Sequence, residues 1–447
     1  MLSLKQLAQR IGAEYIGEDL SFHGVSIDSR TLESGQIYVA IRREKDGHEF
    51  IADAIEKGAS AVLVDHLCEL TIPQIIVKDT LKALGDMAHV WRAQFHIPII
   101  ALTGSCGKTT TKEMIASILR ESGPTLATQG NFNNAYGLPL TLLQLTPRHR
   151  YAVLEMGTNS PGEIDYIARI AEPTVALITN IGASHLEKLG SYEGVSKEKS
   201  DIFVHLKSSG IAVIDLTEPY ALHWAEKIDR RHVVTYGNAP QATVRSSNIH
   251  FHEQGVDFDL NTPIGTMSIG ISLSGQHIVK NAVAAAAVAL SVGASLRDIA
   301  VGLSKMEGVP GRFHKIILKN GCILIDDSYN ASVNAVKNAI DTLALFKGKK
   351  IFVMTHLGEL GADAALYHQK VGEWCRDAHL DQVFLCGNQA VLTPILMLCP
   401  QARYFNDKQA LFSVLQSMLM SGTMVLIKGV HSQKMDEIVS KIVNGDV

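Results

Sequence analysis

The chain has 447 residues, which allows two to four domains on the usual scale of roughly 100–200 residues each. Hydrophobic residues make up 46% and charged residues 19%, so a packed interior is available and wholesale disorder is excluded. The formal net charge of -4 leaves no basic footprint over the whole chain, and no nucleic-acid partner is expected.

Residues 1–95 open with a helical pattern, "LSLKQLAQRIGA", and then mix short β-rich runs ("QIYVAI", "SAVLVD", "QIIVKD") with helix-like spacers. From "IPIIALTGSCGKTTTKEMIASILRE" the texture becomes strand, glycine loop, helix. It continues through the apolar strands "YAVLEMG", "TVALITNIG" and "GIAVIDL". Such alternation predicts a parallel sheet wound with helices. A third set of strands, "CILIDDSYN", "KIFVMTHLGELG", "QVFLCGN" and "TMVLIKG", begins near residue 313, with Pro310, Gly311 and Arg312 at the joint. The expected fold class is α/β in three domains, at 1–95, 96–312 and 313–447.

The run "NAVAAAAVALSVGAS" is shorter than the ~20 apolar residues a membrane span needs and reads as a buried helix. Cys68, Cys106, Cys322, Cys375, Cys386 and Cys399 form no C-x-x-C pair, and the first residues lack a charged-then-apolar leader pattern. Reduced thiols in a cytoplasmic protein are therefore expected.

"TGSCGKTT" departs from the standard phosphate loop, because its first glycine, Gly104, stands three places before Gly107 rather than five. Its setting is still that of a phosphate site. An apolar strand precedes it and a helix follows, so backbone N–H groups at the turn make an anion cradle. Gly104, Ser105, Cys106, Gly107, Lys108, Thr109 and Thr110 are assigned to ATP, with Lys108 on the β/γ phosphates and the Thr109 hydroxyl on Mg²⁺. The plain alternative is a tight turn with no ligand. Cys106, close to a helix N-terminus and to Lys108, is a target for thiol reagents from which ATP should protect.

Glu155 ends one buried strand and His185 follows the next, where α/β sheets gather ligand groups; together they are expected to hold Mg²⁺. Lys197 and Lys199 read from the residues alone as a solvated helix face. Asn131, Asn133 and Asn134 in "QGNFNNAYGLPLTLL" suit either a structural turn or a polar wall orienting substrate. His277 and Asn281 fall four apart on one helix face, and "IDDSYNAS" ends a strand with two carboxylates and a tyrosine suited to ribose or metal. No Ser-His-Asp set, H-E-x-x-H or zinc-type cysteine spacing occurs.

"TGSCGKTT", "LEMG", "TNIGASHLEKLGS", "GQHIVKN", "PGR" and "IDDSYNA", in this order, resemble the ATP-dependent Mur ligases of peptidoglycan precursor synthesis. "GNFNNAYGLPLTLL" and "DDSYNAS" look most like the branch that adds D-alanyl-D-alanine. The N-terminal "SIDSRTLESGQIYVAI" and "DGHEFIADAIEKGASAVLV" are similar to the family's UDP-binding domain. The "D-N-P-R" of the amino-acid-adding branch is absent.

The resemblance implies a UDP-sugar domain, a central ATPase domain and a C-terminal Rossmann-like domain. It implies ATP, Mg²⁺, UDP-MurNAc-tripeptide and D-Ala-D-Ala as cofactors and substrates, and a monomer is expected. By motif, Lys108, Glu155, His185 and Lys199 become catalytic, Lys199 matching a lysine that is carbamylated in sister enzymes. Asn281, Arg312 and Asp327 would hold adenine, phosphate and ribose. Tyr329 and Asn330 fall with the substrate, and Asp28, Ser29, Arg30, Gly47 and His48 face the uridine end.

Three motifs depart from the family pattern. "N-A-N-P" becomes "NASV" with Ser332 and Val333, "K-G-S-R-S" becomes "KGVHS" at Lys428–Ser432, and "V-L-G-D-M-x-E-L-G" becomes "VMTHLGELG". The last puts Thr355 and His356 in a loop expected near the dipeptide. The rivals are another ligase of the family, a P-loop ATPase or kinase without ligation, and a non-catalytic nucleotide-binding scaffold.

Overall fold

Between residues 99 and 215 four apolar runs show no polar alternation, because the strands they form are covered on both faces. In a computed structural model describing residues 2–225, 228, 232–252, 254–273 and 275–445, these runs build the middle of a six-stranded parallel sheet. Its order is Val233–Tyr236, Ile211–Asp215, Val175–Ile178, Ile99–Thr103, Tyr151–Glu155, Thr125–Ala127. Alternate residues serve opposite cores. Ile99, Ala101, Leu154 and Ile178 pack with the helices Thr80–Arg92 and Glu163–Ala171. Ile100, Leu102, Val153 and Leu177 pack with the helices Lys108–Ser122 and Gln276–Ser291.

The strand Ile99–Thr103 has its successors on both sides, Val175–Ile178 on one edge and Tyr151–Glu155 on the other. Connections therefore leave its carboxyl end in opposite directions and open a crevice there, the place where such sheets bind ligands.

The N-terminal sheet has five strands in the order Glu14–Ile16, Gln74–Ile76, Ala61–Val64, Ile37–Val39, Val25–Ser26, with only the first pairing antiparallel. The C-terminal sheet runs His314–Ile317, Ile323–Asp327, Thr423–Lys428, Lys349–Met354, Gln382–Cys386, Ala402–Phe405, again antiparallel only at its first pairing. The three-domain α/β expectation matches these three sheets.

Sequence reading did not foresee a three-stranded antiparallel sheet, Arg245–His252, Gly255–Thr262 and Gly265–Ile271. Its signal was present in "VDFDL", where Val256, Phe258 and Leu260 are buried and the aspartates between them are not. The alanine run is the buried helix expected, Gln276–Ser291. No helix among the described residues is long and apolar enough to cross a membrane, and all six cysteines are free thiols.

Candidate active site

The loop after Ile99–Thr103 is held in a shape that only glycine permits at two points. Gly104 has φ 152°, and a Cβ there would sit 2.0 Å from Thr179 Oγ1. Gly107 has φ 76° and caps the helix; its Cβ would meet Asn281 Oδ1 at 2.8 Å. Thr179 and Asn180, at the end of the neighbouring strand, pin the loop. The Thr179 hydroxyl and Asn180 Nδ2 donate to the Cys106 carbonyl at 2.7 and 2.9 Å. The Ser105 and Cys106 amides donate to the Asn180 carbonyl and Oδ1, both at 3.0 Å.

The helix's first backbone bond runs from Thr111 N to Gly107 O. The amides of Lys108, Thr109 and Thr110 thus have no intrahelical partner, the arrangement that suits a helix N-terminus to an anion. Lys108 Nζ donates to Gly104 O at 2.7 Å, folding its side chain back over the loop. Burial lowers the Lys108 pKa; the Glu155 carboxylate opposes that and Arg312 adds to it.

Glu155 is fully buried at its strand end. Its Oε2 accepts from Thr109 Oγ1 at 2.7 Å and its Oε1 from Asn133 Nδ2 at 2.8 Å. Neither partner is a cation, and Glu155 forms no ion pair among the described residues. A buried carboxylate beside a hydroxyl, with only neutral donors, is a site that a hard, oxygen-seeking cation would complete. The three asparagines divide their tasks. Asn134 Oδ1 caps the next helix through the Tyr136 and Gly137 amides, Asn133 reaches Glu155, and Asn131 lines the cavity with both.

His185 takes a left-handed backbone (φ 53°) and its Nδ1 lies 2.5 Å from Glu359 Oε2 of the C-terminal unit. That leaves Nε2 as the nitrogen able to face the cavity. The solvated-face reading holds for Lys197, which is exposed, and fails for Lys199, which is 1% exposed. Burial drives the Lys199 pKa well down and Lys108 pushes the same way, while Glu198 opposes. Sequence reasoning assigned nothing to Glu198, yet its buried carboxylate accepts from Thr158 Oγ1 and the amides of Gly162 and Ile164.

The C-terminal unit supplies the facing wall. The Gly311 and Phe313 amides donate to Asp326 Oδ2 and Asp327 Oδ1, fixing Arg312 with its guanidinium 4.2 Å from the Tyr329 ring centre. His431 meets the Tyr329 ring edge-on at 5.3 Å. Burial raises the Asp327 pKa, against the Lys428 ammonium 2.5 Å away. Cys106 Sγ stands 3.3 Å from Ser332 Oγ across the seam.

One cavity of about 600 Å³ is lined by Ser105–Lys108, Thr110, the three asparagines, Glu155 and His185, and on the far side by Asn281, Arg312, Asp327, Tyr329 and Asn330. Gly104, Thr109 and Lys199 stand behind this lining. Asp215 enters it unforeseen: fully buried, its Oδ1 takes the Thr217 amide and hydroxyl, and Lys280 Nζ lies 2.6 Å from Oδ2. Thr355 and His356 lie outside the lining. Val430 N donates to Thr355 Oγ1, and Asn388 N approaches His356 Nδ1, both at 3.4 Å.

The uridine-end group is not in this cavity. Asp28 and Arg30 pair with each other at 2.7 Å, and that contact holds the Asp28 carboxyl down at about 2. Ser29 is buried between them, and Gly47 and His48 begin a short helix on the same sheet. The N-terminal unit does reach the central one where Arg43 lies 3.5 Å over the Tyr136 ring, beside the asparagine loop.

Three family models match the chain: "Mur ligase family, catalytic domain" at residues 21–92, "Mur ligase middle domain" at 102–289 and "Mur ligase, glutamate ligase domain" at 311–431. The chain is 39% identical over 442 residues to the UDP-N-acetylmuramoyl-tripeptide--D-alanyl-D-alanine ligase of Escherichia coli (strain K12), covering 98% of this chain and 97% of that one. The Bacillus subtilis (strain 168) ligase of the same name is 34% identical over 440 residues, covering 95% and 94%. Among solved structures, MurF from Acinetobacter baumannii superimposes with a TM-score of 0.92 at 33% identity, covering 98% of each chain. MurF from Thermotoga maritima in complex with ADP does so at 0.85 and 26% identity, covering 94% of this chain and 97% of that one. Motif order, fold and full-length likeness agree: the chain belongs to the Mur ligase family, among its UDP-N-acetylmuramoyl-tripeptide--D-alanyl-D-alanine ligases.

Proposed function

We infer that the chain joins D-Ala-D-Ala to UDP-MurNAc-tripeptide with ATP, giving the pentapeptide, ADP and phosphate. The observation that carries this reading is the single cavity bounded by a phosphate loop, the asparagine loop with its buried carboxylate, and the Arg312–Asn330 wall. One cavity with these three walls has room for a triphosphate and an acceptor side by side. A bare ATPase or kinase would need neither the third wall nor the N-terminal sheet. We take 1–95, 96–312 and 313–447 as the UDP-sugar, ATP and dipeptide-side domains of a cytoplasmic monomer.

A carboxylate cannot be attacked usefully by an amine, because oxide is too poor a leaving group. In the proposed mechanism a terminal carboxylate oxygen of the tripeptide attacks the γ-phosphorus, the bond to ADP breaks, and an acyl phosphate forms. Lys108 and the amides of Lys108–Thr110 hold the phosphates in line and neutralise their charge. Thr109 and Glu155, with His185, are the residues that would hold Mg²⁺, which when bound offsets phosphate charge. The dipeptide's amine then attacks the acyl carbon and phosphate leaves. His356 lies outside the cavity lining and His185 is taken up by Glu359 and the metal, so the amine proton passes to the departing phosphate. Arg312, Asp327 and Asn281 serve the nucleotide, and Asn131, Asn133, Asn134, Tyr329 and Asn330 the peptide. Closure of the three units keeps water from the acyl phosphate.

The test is phosphate release from Mg·ATP with UDP-MurNAc-tripeptide, with and without D-Ala-D-Ala, and the product mass recorded. Release that depends on both substrates and a pentapeptide product is expected. Release indifferent to both would leave only an ATPase.

A further inference from the structure

His48, Asp65 and His66 meet just past the carboxyl end of Ala61–Val64, the middle strand of the N-terminal sheet, and outside the cavity lining, each offering one donor atom within 4.8 Å of the others. We propose that they form a binding site for a divalent late transition-metal ion, Zn²⁺ or Ni²⁺, separate from the ATP-site Mg²⁺.

The two less mobile ligands are already spaced for it. His48 Nε2 lies 3.3 Å from Asp65 Oδ1. Bonds of ~2.0–2.1 Å in a tetrahedral zinc site put neighbouring ligand atoms about 3.3 Å apart.

Each of these ligands is also oriented from behind. Asp46 Oδ1 sits 2.6 Å from His48 Nδ1, so Nδ1 is the nitrogen that donates and Nε2 is the one turned toward Asp65. The Asp65 backbone N–H donates to Nε2 at 3.4 Å. Nε2 and the Asp65 carboxylate face each other, so a cation between them would bind both. Arg42 Nε takes Asp65 Oδ2 at 2.7 Å, and its Nη2 reaches Oδ1 at 3.2 Å, fixing the carboxylate's plane. Asp46 and Asp65 together outweigh Arg42, so the surroundings stay net negative.

The third ligand, His66, stacks on His48 with ring centres 4.8 Å apart and has its Nδ1 2.5 Å from Asp65 Oδ1. Its side chain is 57% exposed, so a small rotation opens the gap to coordination distance without disturbing the core. Two imidazoles and one carboxylate select zinc and nickel over magnesium, and three protein ligands leave a fourth position for water. If His48 also serves the uridine end, an occupied site takes its Nε2 out of use; the metal titration does not depend on that reading.

The test uses untagged full-length protein, stripped with chelator and returned to excess Mg²⁺, titrated with Zn²⁺ by calorimetry and with Co²⁺ by absorption. One equivalent is expected, with the intense visible bands of tetrahedral cobalt and no thiolate charge-transfer band. His66→Ala and Asp65→Asn should each weaken that equivalent at least tenfold while ligase activity in Mg²⁺ alone is unchanged for His66→Ala. Equal affinity in wild type and both variants, a thiolate band, or no uptake at all would overturn the proposal.

Discussion

Lys199 is a buried lysine, and its chemistry follows from that. Desolvation, reinforced by the nearby Lys108 charge, favours the neutral amine, the form that adds CO₂. A carbamate there would restore a negative charge beside Lys108. We predict a carbamate resonance in ¹³C NMR under ¹³CO₂ that disappears in Lys199→Arg; an identical spectrum from the variant would remove the modification. At the same scale the sequence was only partly legible. Lys108, Thr109 and Glu155 stood out because loop and strand-end positions carry their meaning locally. Lys197 and Lys199 looked alike, since which face of a short helix is buried depends on what packs against it. Glu198 and Asp215 gave no local signal: the partners of Glu198 lie tens of residues away, and so does Lys280, which pairs with Asp215.

His277 shows how an element changes a residue. It sits in the first turn of Gln276–Ser291, edge-on to Phe313 at 5.1 Å, and burial with the Lys428 charge lowers its pKa to about 4. The unfolded chain takes up this proton near pH 6.5 and the folded one only near 4. Stability therefore falls as pH drops through that window and is unaffected above it. Thermal unfolding from pH 7 to 4 should fall more steeply for wild type than for His277→Gln; parallel curves would refute it. A second element depends on close approach. A Cβ on Gly302 would stand 2.4 Å from Ile118 Cα, so the helix Leu296–Ser304 lies against the loop-bearing helix with no room between. Gly302→Val should cost about 1–3 kcal/mol or more by overpacking, read as a lowered Tm. An unchanged Tm would show that the two helices can separate freely.

Across the whole molecule, the seam between the central and C-terminal units is tied by His185 and Glu359. Both take left-handed backbone although neither is glycine, a conformation kept only where surroundings hold it. The Glu187 amide also donates to the Glu359 carbonyl at 3.3 Å, and the Tyr367 hydroxyl to that of Tyr192 at 3.5 Å. Among the described residues few polar links span this seam, so Glu359→Gln should shift the molecule toward open forms. Small-angle scattering without ligands should give a larger radius of gyration than wild type, with the difference reduced by ATP and UDP-MurNAc-tripeptide. Equal radii would mean that the pair does not hold the units closed.

Sequence alone determined the α/β class, the three larger sheets, the glycine loop between strand and helix and the family, because glycine turns, apolar strand runs and motif order are local properties of the chain. The antiparallel sheet at 245–271 is also written there, in the alternation of "VDFDL". Only the tertiary structure decided that Asn133 closes on Glu155, that Asn180 pins the loop from the next strand, and that Lys199 is buried. It also brought His48, Asp65 and His66 together. Each of those facts joins side chains distant in sequence or fixes which face of an element is covered, and packing, not local pattern, settles both.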